Sequence, residues 1–244
     1  MANGAHVKVK EYVDTVKLQA EELILKGFPE KIVILNDLLG TEQFQVEDVT
    51  KIHQDINIPI PEPITLNSHS DGPVTKKLKR ELDNDVTGTP VLLMTNGPVP
   101  SNEKLKLMIS VVKPHIKQLV EHSNVLKMWI TFMIPKIEDG NNFGVSIQED
   151  ILAEIQSVES EAAAFYDQMS RYFVSRAKVI SKVAKYPHIA DYRQAVKELD
   201  EKEYLSLWLV LCEIRNRYCT LHDIVTKNLE KIKKPRSSNQ EALY

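Results

Sequence analysis

The chain has 244 residues, of which 43% are hydrophobic and 27% are charged, and its formal net charge is −3. A chain of this size and composition can bury a substantial core, and we expect residues 1–244 to form a single domain. The small net charge gives no chain-wide reason to expect nucleic-acid binding. The longest apolar runs, such as 207–212, are far shorter than the ~20 residues of a membrane helix.

Signals for export or membrane attachment are lacking as well, because the sequence has no signal-peptide pattern and no prenylation cysteine. The two cysteines, Cys212 and Cys219, lie in one helical pattern. Their separation of seven residues places them ~10 Å apart on a helix, beyond the ~7 Å that a disulfide allows. We expect reduced core thiols in a soluble intracellular protein, with no membrane and no nucleic-acid partner.

Apolar residues recur at intervals of three and four from Val7 to Leu39, which predicts an amphipathic helix. Pro29 lies inside this pattern. Because an interior proline removes a backbone donor, we expect it to kink the helix or to split it in two. The pattern ends at Gly40.

The character of the sequence changes between Gly40 and Pro100. Seven prolines interrupt every helical period there: Pro59, Pro61, Pro63, Pro73, Pro90, Pro98 and Pro100. Structureless connections beyond about 15 residues are uncommon in compact domains, so we predict a flexible proline-rich linker at about 62–100 that is disordered or functional. Short ordered pieces remain compatible with the sequence at 46–53 and 91–94.

A basic tract lies inside this linker, and its charged residues are Lys76, Lys77, Lys79 and Arg80. One interpretation is a nuclear-localisation signal, because an extended exposed segment lets each cation reach an acidic pocket of an import carrier. The alternative is an ordinary solvated basic loop, since short basic runs are frequent. The tract alone does not decide between the two.

The helical period returns from Ser101 to Pro135, with Ser101 as the predicted N-cap and Pro114 as a predicted bend. His115 and His122 lie seven residues apart on one face of this helix. They could form a metal pair, but no third ligand accompanies them. Solvated or interface histidines are therefore the favoured interpretation.

A compact loop follows, and it contains two glycines and two asparagines, residue types that accept positive φ. Its residues are Ile137, Glu138, Asp139, Gly140, Asn141, Asn142, Phe143 and Gly144. Ser146 and Glu149 have the spacing of a capping box and predict the start of the next helix. An ordinary turn is one interpretation. The loop is longer than the about 2 to 5 residues that a turn between antiparallel helices needs, which favours a loop that presents groups to a partner.

Two further helical patterns complete the chain. The third has a nearly heptad repeat from Ile151 to Ile180, which indicates close packing against neighbours, and it ends before Pro187. The fourth runs from about Ile189 to Lys233 and carries apolar groups on two sides. Such a helix occupies either the centre of the monomer or a subunit interface. Two arginines in these rows, Arg215 and Arg217, favour the interface.

Four long helical patterns without strand alternation predict an all-α fold, an elongated antiparallel four-helix bundle. Helices of ~35 to 45 residues would reach ~50 to 65 Å. With an up-down-up-down order, the 137–144 loop lies at the same end as the chain's C-terminus, and the linker lies at the opposite end. The residues from 236 to 244 are predicted to form a mobile polar tail.

Catalytic motifs are lacking in the sequence, which has no P-loop, no dinucleotide glycine motif, no HExxH pair and no glycine-flanked nucleophilic serine. The acidic pair Glu138 and Asp139 has no base or metal implied beside it. We expect these carboxylates to form salt links within the loop or to a partner. The sequence thus predicts a non-enzymatic protein without cofactor or metal.

Three segments carry a resemblance to a known family. The run 137–148, preceded by Ile134 and Pro135, resembles the activation loop of the 11S (REG) proteasome activators. A second match combines 185–188 and 191–192 with Arg193, and a third, from Lys231 to Asn239 with Tyr244 at the end, resembles the gamma type. Lys136 stands where the family has an arginine. The lysine keeps the positive charge but lacks the planar fork of a guanidinium group.

The resemblance covers the whole chain and implies a ring of seven identical subunits that binds the outer (alpha) ring of the proteasome core particle. C-terminal tails enter pockets of the core, and the activation loops press on its gate without ATP. The tail residues are Ser237, Ser238, Asn239, Gln240, Glu241, Ala242, Leu243 and Tyr244. A free carboxylate on a flexible peptide suits such capture, and seven tails add avidity.

The gamma-type resemblance also favours nuclear import through the basic tract, so we expect a nuclear protein with an import carrier as partner. The dense Lys/Glu insert associated with the alpha and beta types is missing from this sequence. A different class of function stays open, that of a helical nuclear scaffold whose linker recruits partners without gating a proteasome.

Overall fold

The structure is a computed structural model that describes residues 2–61 and 97–236. Its helices form four long rods, which confirms the all-α fold of elongated helices. The elements in chain order are α1 (Ala2–Glu22), a π-helical turn (Leu23–Gly27), α2 (Phe28–Leu39), a 3₁₀ turn (Val49–Ile52), α3 (Glu103–Met133), α4 (Phe143–Lys185), α5 (Ala190–Lys227) and α6 (Leu229–Lys233).

The first rod consists of α1, the π-helical turn and α2. Pro29 lies in the first turn of α2, where a missing N–H costs no helical hydrogen bond, and the π-helical turn precedes it. The α-helix is therefore interrupted just before Pro29, as the sequence predicts, while the π-helical turn keeps the two segments in one rod. The rod ends at Leu39, and the N–H of Gly40 donates to carbonyls of the last turn, as the sequence predicts.

The predicted start of α3 is wrong by one residue. Asn102, not Ser101, is the N-cap, and its side-chain oxygen accepts from the N–H of Leu105 at 3.2 Å. The amide nitrogen of Asn102 also donates to the carbonyl of Ile52 at 2.9 Å and to the carboxylate of Asp200 at 2.8 Å. These tertiary contacts favour Asn102 over its neighbour. The helix continues through Pro114 to Met133.

The predicted start of α4 is also wrong. The helix begins at Phe143, so Ser146 lies inside its first turn, where its N–H donates to the carbonyl of Asn142 at 2.9 Å. No side chain caps this helix end. The capping-box spacing at Ser146 and Glu149 is therefore not used, because the backbone has already turned into the helix three residues earlier.

One hydrophobic core runs through all four rods. Its largest fully buried side chains include Phe28, Trp129, Ile130, Ile151 and Tyr218. Burial of this many large side chains from every rod stabilises the antiparallel packing that the periodicity predicts.

The two apolar rows of the fourth rod have different environments. The row that contains Leu207, Leu211 and Ile214 is fully buried, whereas Leu205 and Leu209 remain 54% and 52% exposed. Arg217 pairs with Glu154, Glu161 and Glu213 of the same chain, and Arg215 donates to Asn36. The arginines therefore give no support to a subunit interface on this helix. The exposed leucines are still consistent with one.

The two histidines of α3 are half-buried and bond within the bundle, so they are not freely solvated, while the interface alternative stays a prediction. His115 Nδ1 lies 2.7 Å from Nζ of Lys31, and His122 Nδ1 lies 3.0 Å from the hydroxyl of Tyr218. Burial, followed by the charge of Lys31, lowers the pKa of His115 to about 4. The same two causes lower the pKa of His122. Both imidazoles are thus neutral at pH 7.

The cysteines are both free thiols, but only Cys212 is half-buried. Cys219 is exposed, so the predicted core position is wrong for this residue. It lies one position after the buried Tyr218, and a step of one residue on a helix turns a side chain away from the core.

A smaller apolar cluster lies where the linker leaves and re-enters the bundle. Ile56 and Ile58 pack there with Val183 and Val196, and Val99 lies against them. Val183 and Val196 flank the turn between α4 and α5, which lies at the opposite end of the rods from the loop between α3 and α4. The predicted placement of the linker opposite the loop is confirmed for the described residues on either side of it.

Candidate functional site

The loop between α3 and α4 turns through two consecutive residues in the left-handed region. Gly140 has φ +84° and Asn141 has φ +42°. The expectation that Gly and Asn supply positive φ here is confirmed. The loop is shorter than predicted, however, because Phe143 and Gly144 belong to the first turn of α4.

The outer surface of the loop combines apolar and acidic groups. Ile137 is 100% exposed and Phe143 is 72% exposed, and both carboxylates of Glu138 and Asp139 reach solvent. Two uncovered large hydrophobic side chains beside one turn are unusual on a solvated surface and are typical of a contact with another molecule.

Arg236, at the root of the C-terminal tail, binds this loop. Its Nη1 donates to the backbone carbonyl of Lys136 and to Glu138 Oε2, each at 3.0 Å, and its Nη2 donates to Asn142 Oδ1 at 3.0 Å. The Arg236 side chain is 21% exposed. The prediction of a mobile tail from residue 236 is therefore wrong for Arg236 itself, because three hydrogen bonds hold it.

Two further contacts fix the tail root on the loop. A Cβ added to Gly144 would lie 2.0 Å from the carbonyl oxygen of Pro235, so the backbones approach more closely than any side chain permits. The buried Gln148 donates to the carbonyls of Met133 at 3.1 Å and Ile232 at 2.8 Å, and so joins the ends of α3 and α6. We call Pro235, Arg236, Gly144 and Gln148 the loop–tail junction.

Lys136 contributes its backbone carbonyl to the loop–tail junction, and its side chain is exposed. The guanidinium that pairs with the loop's carboxylate belongs to Arg236, 98 residues further along the chain from Glu138. The salt link of Glu138 in the structure is therefore neither of the two predicted ones, within the loop or to a partner, but joins the loop to the tail root of the same chain. The sequence contains one signal for this pair. Arg236 is a basic residue next to the tail, and the order of the helices places the tail at the same end of the bundle as the loop.

The second motif, around Lys185 and Arg193, lies at the other end of the bundle. The rings of Tyr186 and Tyr192 stack there with centroids 6.1 Å apart, and α4 ends at Lys185. This motif shapes the turn between α4 and α5 and does not approach the loop.

The remaining predicted site residues lie outside the described residues. They are the tail residues 237–244 and the basic tract with Lys76, Lys77, Lys79 and Arg80. Among residues 2–61 and 97–236, no group of three His, Cys, Asp or Glu side chains is arranged to hold a metal ion. In the same part of the chain, no helix combines the length and apolarity needed to span a bilayer.

The structure defines a class of protein: a rod-like helical subunit whose exposed loop is hydrogen-bonded to the root of its C-terminal tail. Comparison with known protein families leads to the same class. The chain belongs to the PA28 proteasome activator family. Residues 98–242 match the family's C-terminal model, and residues 3–63 match its N-terminal model. The stretch between the two matches contains most of the predicted linker.

Individual relatives indicate which type within the family the chain resembles. The chain is 52% identical over 243 residues to the proteasome activator complex subunit 3 of Gallus gallus, covering 98% of this chain and 95% of the relative. It is 51% identical over 242 residues to the Homo sapiens protein of the same name, with the same coverage. The predicted family and the likeness to its gamma type are confirmed.

Solved structures show the same fold. The 11S subunit PA28 of Plasmodium falciparum superposes with a TM-score of 0.73 at 30% identity, over 96% of this chain and 95% of that one. An activator chain from a proteasome–11S activator complex superposes with a TM-score of 0.59, over 99% of this chain and all of that one. Its 14% identity supports the fold alone.

Proposed function

We propose that the protein activates the proteasome core particle without catalytic groups of its own. Copies assemble into a ring, the tails from Ser237 to Tyr244 dock on the outer ring of the core, and the 137–144 loop opens the gate. The observation that carries this proposal is the loop–tail junction. Because the root of the tail is bonded to the loop, docking of the tail on the core brings the loop to the same surface of the core. The names of the relatives and the family membership support it.

The direct test is to mix the purified protein with latent core particle and a fluorogenic peptide in the absence of ATP. We expect peptide hydrolysis to rise. Removal of 237–244 should abolish both core binding and stimulation while the ring survives, because Arg236 and the described helices remain. A variant with the same eight residues in reversed order serves as the matched control for tail length and composition, and it should also fail. Stimulation by either altered protein would contradict docking through the tail.

We also propose that the protein is nuclear and is imported through the basic tract. Support comes from the tract's four charges in a proline-rich segment. Neutralising Lys76, Lys77, Lys79 and Arg80 should abolish nuclear accumulation and leave ring assembly intact. A control neutralises four exposed lysines on helices, Lys8, Lys10, Lys178 and Lys182. Nuclear accumulation of the tract variant would show that another segment carries the signal.

A further inference from the structure

We infer that Arg236 is a positioning residue for gate opening, which sets the place of the loop and takes no part in docking itself. The inference rests on the proposed function and divides the C-terminal segment into two parts. Arg236 bonds to its own subunit, whereas the proposed docking on the core is assigned to the eight residues after it.

The loop has little structure of its own to hold it. In the described structure, no backbone–backbone hydrogen bond joins two residues between Pro135 and Asn142. The side-chain amide of Asn142 donates to the carbonyl of Glu138 at a long 3.4 Å. The N–H of Ser146 donates to the carbonyl of Asn142 at the start of α4. Arg236 supplies the three remaining hydrogen bonds to these residues, at Lys136, Glu138 and Asn142. The loop's position therefore depends on the guanidinium.

The guanidinium is suited to this task because its fork donates in fixed directions. It bonds to Lys136, directly before the 137–144 loop, and to Asn142, directly before α4, so one planar group restrains the chain on both sides of the left-handed turn. The backbone that carries Arg236 is held in place as well, because Pro235 lies against Gly144 and the carbonyl of Ile232 accepts from Gln148. A lysine at position 236 has one ammonium and could not hold both ends in this geometry.

The inference is tested with Arg236→Gln in the full chain, titrated against latent core particle with a fluorogenic peptide. We expect the concentration for half-maximal stimulation to stay unchanged, because the tail is intact. We expect maximal stimulation to fall at least about tenfold, because the guanidinium makes three hydrogen bonds to the loop and the loss of even one corresponds to about this population change. Arg236→Lys should recover part of the stimulation. Lys234→Gln is the matched control, because it removes one exposed charge from the same segment and should change neither quantity.

A second measurement reports on the loop without the core particle. Amide hydrogen exchange of 137–142 in the free ring should become faster in Arg236→Gln and stay unchanged in Lys234→Gln. Sedimentation of both variants tests whether they assemble like the unaltered protein, as we expect.

Two results would overturn the inference. One is full stimulation by Arg236→Gln with unchanged loop exchange, and the other is a loss of core binding, which would make Arg236 a docking residue. Failure of the unaltered protein to stimulate the core would instead overturn the proposed function. The exchange experiment would still measure whether Arg236 positions the loop.

Discussion

Gly140 and Gly144 lie four residues apart and are required for different physical reasons. Gly140 has open space where a Cβ would be, so its need for glycine comes from its φ of +84° alone. Gly144 has ordinary helical geometry, and its need comes from the backbone of Pro235. The first glycine shapes the loop, and the second brings the tail root onto it.

Gly140→Val should separate docking from gate opening. A β-branched residue at this φ costs about 1 to 3 kcal/mol locally and reshapes the loop, while the tail and the junction stay in place. We expect a ring that binds the core and competes with unaltered protein but stimulates peptide hydrolysis weakly. Core binding and peptide turnover are measured on one preparation.

The control for this substitution is Gly97→Val. Gly97 has φ +82° and open space around it, and it lies at the linker end of the bundle. It should carry the same local strain and leave stimulation unchanged. Full stimulation by Gly140→Val would show that this backbone conformation does not open the gate.

Glu203 is a buried carboxyl group with 7% exposure, and its Oε1 has no hydrogen-bond partner among the described residues. Burial raises its pKa to about 7 from the ordinary 4.5, against a small opposing effect of Lys202. The folded state therefore holds this proton more tightly than the unfolded state. Its contribution to stability is full below pH 4.5 and is lost as the pH rises to about 7.

Glu203→Gln should remove this pH dependence. The amide stays neutral, so we expect the variant to gain on the order of 3 kcal/mol over the unaltered protein at pH 8 and almost nothing at pH 4.5. Denaturant titrations at the two pH values measure the difference. An equal change at both would show that the pKa of Glu203 is the same in the folded and unfolded states.

At the scale of elements, a buried ion pair joins three helices at the linker end. Asp200 on α5 accepts from Arg176 Nε and from the hydroxyl of Tyr172, both on α4 and both at 2.8 Å. The N-cap residue of α3, Asn102, donates to its other oxygen. Asp200 and Arg176 are 1% and 3% exposed. The pair therefore sets the register of three rods where the linker enters.

Asp200→Asn should destabilise the protein by about 3 to 5 kcal/mol, because it leaves the guanidinium of Arg176 buried without a countercharge. Chemical denaturation measures the loss. The control is Asp223→Asn, which breaks the exposed Lys227–Asp223 pair on the same helix and should stay within about 0.5 kcal/mol. A small effect of Asp200→Asn would mean that solvent reaches Arg176.

At the scale of the whole molecule, the exposed row of α5 indicates how copies of the chain could meet. Leu205 and Leu209 line a groove together with Phe165 of α4, and the groove has a volume of about 470 Å³. An apolar groove of this kind is costly on a free subunit and is typical of a subunit contact. It supplies the physical basis for the proposed ring.

Leu209→Glu should weaken or abolish the ring, because it places a charge in a contact that assembly would bury. Helix content should be preserved, since Leu209 lies outside the core. Sedimentation measures the assembly and circular dichroism the helices. Thr220→Glu adds the same charge to an exposed position of the same helix and should assemble normally. An intact ring of Leu209→Glu would place the contact elsewhere.

Much of this protein follows from local sequence alone. The rods, the interruption of the α-helix near Pro29 and the end at Gly40 could be predicted because helix formation depends on groups three and four residues apart. The left-handed turn at Gly140 could be predicted because it depends on one residue's own sterics. The shared end of the loop and the C-terminus follows from the number and order of the helices.

Other features were decided only by the tertiary structure, because they depend on groups from distant parts of the chain. Asn102 rather than Ser101 caps α3 since Asp200 and Ile52 reach it across the bundle. The pKa of His115 falls to about 4 because the core buries the imidazole and Lys31 lies beside it. Arg236 is ordered because the folded chain brings it to Glu138, 98 residues away. Periodicity reports which face of a helix is buried, but it carries no information about which particular groups meet there.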